Sequence, residues 1–553
     1  MPLPPRSRRL PPFLMRFPIS PDGRELVSVY SRAITVRCAL LAGAWLGCTA
    51  PADAAEAQTS FKFFFGSGAV PAGYTQVKPD TLYTKERGYG FEPGANLQAV
   101  NQGGENQLHG GFVTTLAPAT PPTTPAADAP ATTTTPPPAA APANPLFKFS
   151  TAVPEGIYKV TVTLGDLKGE TTTTVKAEDR RLELERLHTD AGKFETRTFF
   201  VSVRNPVLPD GTKLKLDVQE VNAAGENLKQ NWDDKLTLQF SDARPALAAL
   251  EIEKTDTSPK VFIMGDSTVT DQAGEPYGTW GMMLGRWLKA PVVVVNYAES
   301  GETLKAFRRE HRFEKLLGEL KPGDYVFMQF GHNDLNKTGH NAIWPADDHE
   351  GDWPNTYAEA NTDYKQLLKD YAAEVKQHGG IPVIVSPMTK VQGSTGVLNV
   401  AGLGDYPKAA MAAAHEAGVA GIDLNAMTIA IDTALGPDLA RRAYTPEGLH
   451  QTTYGGYLFS RAIVEGIKQN KLALAQYIVD DAGTFDPTHP APLPDDFKLP
   501  LEARAGGGRG GRGGFPGRGG AGRGGPPAGV PGAPTSPSPV VAPMATTQPS
   551  STN

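Results

Sequence analysis

The run Ile157-Tyr-Lys-Val-Thr-Val-Thr-Leu164 alternates apolar and polar residues. An extended backbone therefore puts Tyr158, Val160, Val162 and Leu164 on one face, which predicts a half-buried strand. Phe61–Phe65, Thr171–Ala177, Thr196–Val203, Lys213–Val218 and Leu236–Phe240 read the same way, with turn residues between them. Short strands so spaced predict an antiparallel β-sandwich over residues 60–257. From Lys260 the pattern changes to continuous apolar runs, Val261–Met264, Val292–Val295, Tyr325–Met328 and Ile381–Val385, separated by longer amphipathic stretches. A strand apolar on both faces belongs in a parallel sheet covered by helices on either side, so residues 258–490 are expected to form an α/β domain. Tyr357–His378 and Tyr454–Asn470 have helical spacing, and Gly379-Gly380 supplies a stop after the first.

Composition trims this picture at three places. The chain has 553 residues, enough for two or three folded units, but its 59 glycines and 50 prolines imply that part of it lies outside any folded core. Ala117–Pro145 is a Pro/Thr/Ala tract with too little apolar surface to offset its ordering entropy, and reads as a disordered insertion. Residues 500–553 are rich in Gly and Pro, carry Arg504, Arg509, Arg512, Arg518 and Arg523, and contain no acidic residue after Glu502. Such a tail suits RNA or a flexible extension; for an exported protein the flexible extension is preferred.

Export is the expectation for residues 1–55, a leader in which Arg32 and Arg37 precede the apolar stretch Cys38–Ala50 and Ala52-Asp-Ala54 has cleavage spacing. That stretch is too short to span a bilayer, Met15 is an alternative start, and the product would be secreted or periplasmic. Both cysteines, Cys38 and Cys48, lie in it, and Trp45 and Leu46 fit a lipid-attachment signal at Cys48 poorly. Cleavage after Ala54 leaves no thiol, hence no disulfide, thiolate metal site or cysteine nucleophile. A net charge of −6 gives no basic field to attract nucleic acid.

Candidate chemistry lies at strand ends. Gly265-Asp-Ser-Thr268 follows an apolar strand, where Ser267 is exposed in a crevice near backbone N–H donors; the same residues also suit a helix N-cap. Asn296-Tyr-Ala-Glu-Ser-Gly-Glu302 follows the next strand, and Gly301 there can present its N–H unobstructed. Asn333, in Phe330-Gly-His-Asn-Asp334, follows a third. A serine nucleophile needs a base and an acid that orients it. His450, just before the helix expected at Tyr454, is the candidate base, with Glu447 three residues earlier as the acid and Asp423, at another strand end, in reserve. His311, His332, His340 and His349 lack zinc-helix spacing and Asp347-Asp348 reads as a solvated patch, so no metal site is expected.

Gly265-Asp-Ser-Thr268, Gly301, Gly331-His-Asn-Asp334 and Glu447-x-x-His450, in this order, resemble the SGNH, or GDSL, hydrolase superfamily. The GDST and GHND wording, Glu447-Gly-Leu-His-Gln-Thr-Thr-Tyr-Gly-Gly-Tyr457 and the preceding sandwich are similar to bacterial rhamnogalacturonan acetylesterases over roughly residues 60–490. The resemblance implies a three-layer α/β/α domain after a galactose-binding-like sandwich, with Ser267 as nucleophile and His450 as base. It implies Ser267, Gly301 and Asn333 as oxyanion donors and chemistry without a cofactor. It implies an acetylated polysaccharide substrate, rhamnogalacturonan foremost. A xylan acetylesterase, lipase or thioesterase, or a carbohydrate-binding protein with an inactive site, are the alternatives. The family pattern has Asp where this chain has Glu447, whose extra methylene requires the loop to adjust. The sandwich suits either holding the polymer or simple packing.

Overall fold

A computed structural model of the chain describes residues 58–103, 106–116, 145–216, 230–256, 259–337 and 356–490. The leader, nearly all of the Pro/Thr/Ala insertion and the tail lie outside them.

Twelve strands make the sandwich: β1 (Ser60–Phe64), β2 (Thr75–Gln76), β3 (Tyr89–Phe91), β4 (Leu97–Asn101), β5 (Gly111–Thr115), β6 (Leu146–Ala152), β7 (Gly156–Asp166), β8 (Thr171–Ala177), β9 (Arg181–Thr189), β10 (Lys193–Val203), β11 (Lys235–Arg244) and β12 (Leu247–Thr255). One sheet runs β10-β7-β12-β1-β2 with β5 and β4 attached through β12, and the other β3-β6-β11-β8-β9. Pairing is antiparallel except between β1 and β2. Tyr158, Val160, Val162 and Leu164 of β7 all point into the core between the sheets, where they meet Phe63, Phe149 and Phe240. The expected strand at Lys213–Val218 does not form. Lys213 makes only an isolated bridge to Val207, Leu214 turns into the core of the next domain instead, and residues 217 and 218 lie outside the described set.

The second domain is built on a parallel sheet, β14-β13-β15-β16-β17, formed by β13 (Lys260–Gly265), β14 (Val293–Asn296), β15 (Tyr325–Gln329), β16 (Ile381–Val385) and β17 (Ala420–Ile422). Its strands are apolar on both faces because both are covered. Val261 and Ile263 face a layer of α1 (Trp280–Met283), α6 (Leu424–Ala443) and α7 (Thr453–Gln469). Phe262 and Met264 face α2 (Leu304–Arg309), α3 (Arg312–Glu319), α4 (Lys365–Gln377) and α5 (Tyr406–Ala417). The helix expected from Tyr357 starts later, with a π-helical turn at Ala360–Tyr364 leading into α4. There the Glu359 side chain takes the N–H groups of Asn361 and Thr362. α6 is two helical pieces that meet at Gly436, before Pro437.

Strand order places the first strand, β13, between the second, β14, and the third, β15. Their carboxyl ends therefore bound one crevice at the point where the winding reverses, the usual ligand position in such sheets. The sandwich lies along the outer strand, β14, through β10, and against α1 through β9. This covers a sheet edge that would otherwise be open. Among the described residues no helix is long and apolar enough to cross a membrane.

Candidate active site

Ser267 follows β13, Gly301 follows β14, and Asn333 follows β15, so the strand order alone gathers the three candidate positions at one edge. The turn after β13 is held by a chain of buried hydrogen bonds. Asp266 Oδ1 accepts from the Thr268 N–H and hydroxyl at 2.9 and 2.7 Å. Gln329 Nε2 donates to Thr268 Oγ1 at 2.8 Å, and Trp280 Nε1 donates to Gln329 Oε1 at 2.7 Å. Asp266 and Thr268 thus serve the turn and leave the Ser267 side chain, 9% exposed, facing the crevice. The helix-cap reading of this segment applies to its neighbour: Thr279, not Ser267, caps α1.

His450 comes to Ser267 from 183 residues away, its Nε2 lying 2.8 Å from Ser267 Oγ. Its Nδ1 lies 2.8 Å from Glu447 Oε1. In the Glu447-Gly-Leu-His450 turn Gly448 adopts φ 79° and its backbone presses on Val391 and Gly393, where a Cβ would come within 2.4 Å of the Val391 carbonyl. Thr445 closes the turn, its N–H donating to the His450 carbonyl at 2.8 Å and its hydroxyl to Glu447 Oε1. Burial raises the Glu447 pKa, but the hydrogen bonds from His450 and Thr445 outweigh it and hold the carboxyl below its ordinary value. Asp423 is engaged elsewhere: it caps α6 at Ala426 N and accepts from the Ser386 hydroxyl at 2.9 Å.

Gly301 adopts φ 85°, a conformation that favours glycine, and neither its N–H nor that of Ser267 donates to an acceptor among the described residues. Asn333 Nδ2 donates to the Glu302 carbonyl at 3.0 Å, which fixes the amide beside the Gly301 loop, and Asp334 takes the Leu304 N–H at 2.9 Å. His332 precedes Asn333 in the chain and feels the charge of His450. Its Nε2 is buried without a hydrogen-bond partner among the described residues, and burial pushes its pKa down to about 4. His311 pairs with Glu314, and His340, His349, Asp347 and Asp348 lie outside the described residues. Among the described residues no cluster of three or more His, Cys, Asp or Glu is placed to hold a metal.

Three contributors had no local signal in the sequence. Thr445 backs Glu447, Gln272 Nε2 donates to the Ser267 carbonyl at 3.1 Å, and Tyr277, 38% exposed, sets its ring edge-on to His450 with centroids 5.8 Å apart.

Residues 61–116 match the model of the Beta-agarase/YXIM esterase-like, galactose-binding domain-like family. The chain is 24% identical over 437 residues to "Uncharacterized esterase YxiM" of Bacillus subtilis (strain 168), covering 92% of that protein and 75% of this one. It is 30% identical over 233 residues to "Probable rhamnogalacturonan acetylesterase YesY" of the same organism, covering 98% of that protein and 40% of this one. It is 28% identical over 240 residues to the same organism's "Rhamnogalacturonan acetylesterase RhgT", covering 96% of it and 40% of this chain. With residues 263–456 matching the model of the GDSL-like Lipase/Acylhydrolase family, the chain belongs to that family of ester hydrolases, preceded by a galactose-binding-like domain.

Proposed function

We propose that the protein is an exported serine esterase that removes acetyl groups from plant cell-wall polysaccharide, rhamnogalacturonan foremost. The observation that carries this reading is the relay from Ser267 Oγ through His450 to Glu447, with both contacts at 2.8 Å. As His450 Nε2 takes the Ser267 proton, Oγ attacks the acetyl carbonyl carbon, and Glu447 on Nδ1 holds the ring and stabilises the imidazolium. The developing oxyanion is met by the Ser267 and Gly301 N–H groups and the Asn333 amide. Collapse breaks the bond to the sugar oxygen, which takes the proton from His450. Water then attacks the acetyl-Ser267 ester with His450 again as base, releasing acetate and restoring the serine.

The polysaccharide is supported by the names of YesY and RhgT and by the galactose-binding-like domain, and export by the leader-like sequence of residues 1–55. Acetate release from acetylated rhamnogalacturonan and acetylated xylan fragments, compared between wild type and Ser267→Ala, tests it. Wild type is expected to turn over the pectic fragments faster, and Ser267→Ala to lose roughly 10⁴-fold or more in kcat. Equal rates for the two proteins remove the mechanism, and turnover of long-chain esters without release from any acetylated sugar removes the substrate assignment.

A further inference from the structure

The turn that joins β8 to β9, Glu178-Asp-Arg-Arg181, belongs to the sandwich but enters the hydrolase domain beside the Ser267–His450 pair. It is anchored at its base. Glu178 Oε1 takes the Thr237 N–H at 3.1 Å, and the Asp179 carboxylate takes those of Gln230 and Asn231 at 3.4 and 3.3 Å. Glu178 and Arg180 hold φ of 54° and 70°, left-handed values that non-glycine residues adopt only when the surroundings impose them. The result is an Arg180 side chain, 6% exposed, delivered as a fork into the neighbouring domain.

That fork touches both sides of the candidate pair. Arg180 Nη1 donates to the Gln272 and Tyr277 carbonyls at 3.1 and 2.9 Å, and Nη2 donates to Thr453 Oγ1 at 3.3 Å and pairs with Glu275. Gln272 is the residue whose amide holds the Ser267 carbonyl, and Tyr277 is the ring set against His450. Thr453 opens α7, three residues after His450, and its N–H donates to the Pro276 carbonyl at 3.2 Å. Its hydroxyl also donates to Glu275 Oε2 at 2.9 Å, which joins the two segments under the guanidinium. Arg181 braces the same loop from behind, donating to the Val294 carbonyl at 3.0 Å and pairing with Asp271 at 3.6 Å. A planar guanidinium with five donors can serve this set of acceptors in one fixed geometry.

We propose that Arg180 is a positioning residue that sets the Ser267–His450 distance, so that the sandwich is part of the catalytic apparatus rather than only a polymer-holding or packing domain. The proposal rests on Ser267 and His450 being the reacting pair. Proton transfer between them needs hydrogen-bond distance, and a displacement of about 1 Å costs on the order of 10²-fold in rate. Arg180 acts on the two segments that carry the pair and never on the substrate, so its removal lowers kcat and spares KM.

The test uses the full chain as wild type, Arg180→Ala, Arg180→Lys and Ser267→Ala. Acetate release from acetylated rhamnogalacturonan fragments is measured per active site, with sites counted by end-point labelling with a serine-directed phosphonate, and for Ser267→Ala per mole of folded protein. Arg180→Ala is expected to lower kcat per labelled site by roughly 10- to 100-fold with KM within about threefold, and Arg180→Lys to recover part of the loss. An unchanged kcat per labelled site in Arg180→Ala, with only the melting temperature lowered, would overturn the proposal. Should Arg180→Ala fail to fold, Thr453→Val combined with Glu275→Ala removes the side-chain acceptors of Nη2 and is read the same way. An inactive Ser267→Ala beside an Arg180→Ala equal to wild type removes the positioning role alone, whereas an active Ser267→Ala removes the reacting pair on which it rests.

Discussion

Glu447, one methylene longer than the aspartate of the related pattern, reaches His450 Nδ1 at 2.8 Å in a turn held by Thr445 and by the left-handed Gly448. Glu447→Gln keeps the shape but removes the charge and donates where an acceptor is needed. We expect kcat to fall on the order of 10²- to 10⁴-fold with KM little changed, measured by steady-state acetate release. His332 gives a pH signature. Its folded-state pKa, pushed down to about 4 by burial, lies below the ordinary value of 6.5, so the folded state holds the ring neutral. Its contribution to stability is therefore fully present above about pH 6.5 and is lost as the pH falls through about 4. Urea unfolding at pH 7 and pH 4.5 should show a steeper loss for wild type than for His332→Gln. Ser267, Gly301, Asn333, His450 and Glu447 could be picked out in the sequence because each stands in a short run with its own turn chemistry. Tyr277, Gln272 and Arg180 could not, since what singles them out is a partner distant in sequence or a backbone contact that no spacing encodes.

The Glu447–His450 turn depends for its shape on Gly448. An alanine Cβ at Gly448 would sit 2.4 Å from the Val391 carbonyl on a backbone with φ 79°. Gly448→Ala is expected to cost about 1–3 kcal/mol in denaturant unfolding and to lower kcat as His450 shifts. Among the regular elements, β13 to β16 were legible as apolar runs because burial on both faces removes any alternation. β7 and β8 were legible for the opposite reason, one face being buried and the other more open. β9 is not legible as a strand, since Arg181-Leu-Glu-Leu-Glu-Arg-Leu-His-Thr189 alternates like a sheet surface but is rich in charge, and Arg181 and Glu185 are used against the hydrolase domain. α6 was missed because Gly436-Pro437 interrupts its helical period.

The two domains share a buried interface, to which Ile157, Leu214 and Trp232 contribute beside the hydrolase core. Arg204, at the end of β10, is buried against the rings of Trp232 and Tyr297, 4.4 and 4.8 Å from their centroids, and donates to the Asn296 carbonyl at the end of β14. Such an interface couples the stabilities of its two sides, so calorimetry should record a single unfolding transition for the sandwich and the hydrolase domain. Arg204→Ala, which removes the cation packed against two rings and its hydrogen bond to the Asn296 carbonyl, is expected to cost about 2–4 kcal/mol and to broaden or split that transition. The sequence by itself determined the two fold classes, because hydrophobic period is a local property, and it marked Ser267, His450, Glu447, Gly301 and Asn333 as candidates through the order of their motifs along the chain. Only the tertiary structure decided that β13 lies between β14 and β15, that Glu447 meets its histidine, and that an arginine of the sandwich grips both sides of the crevice. Those depend on which distant segments pack together, and packing is settled by the shape and burial of the whole chain.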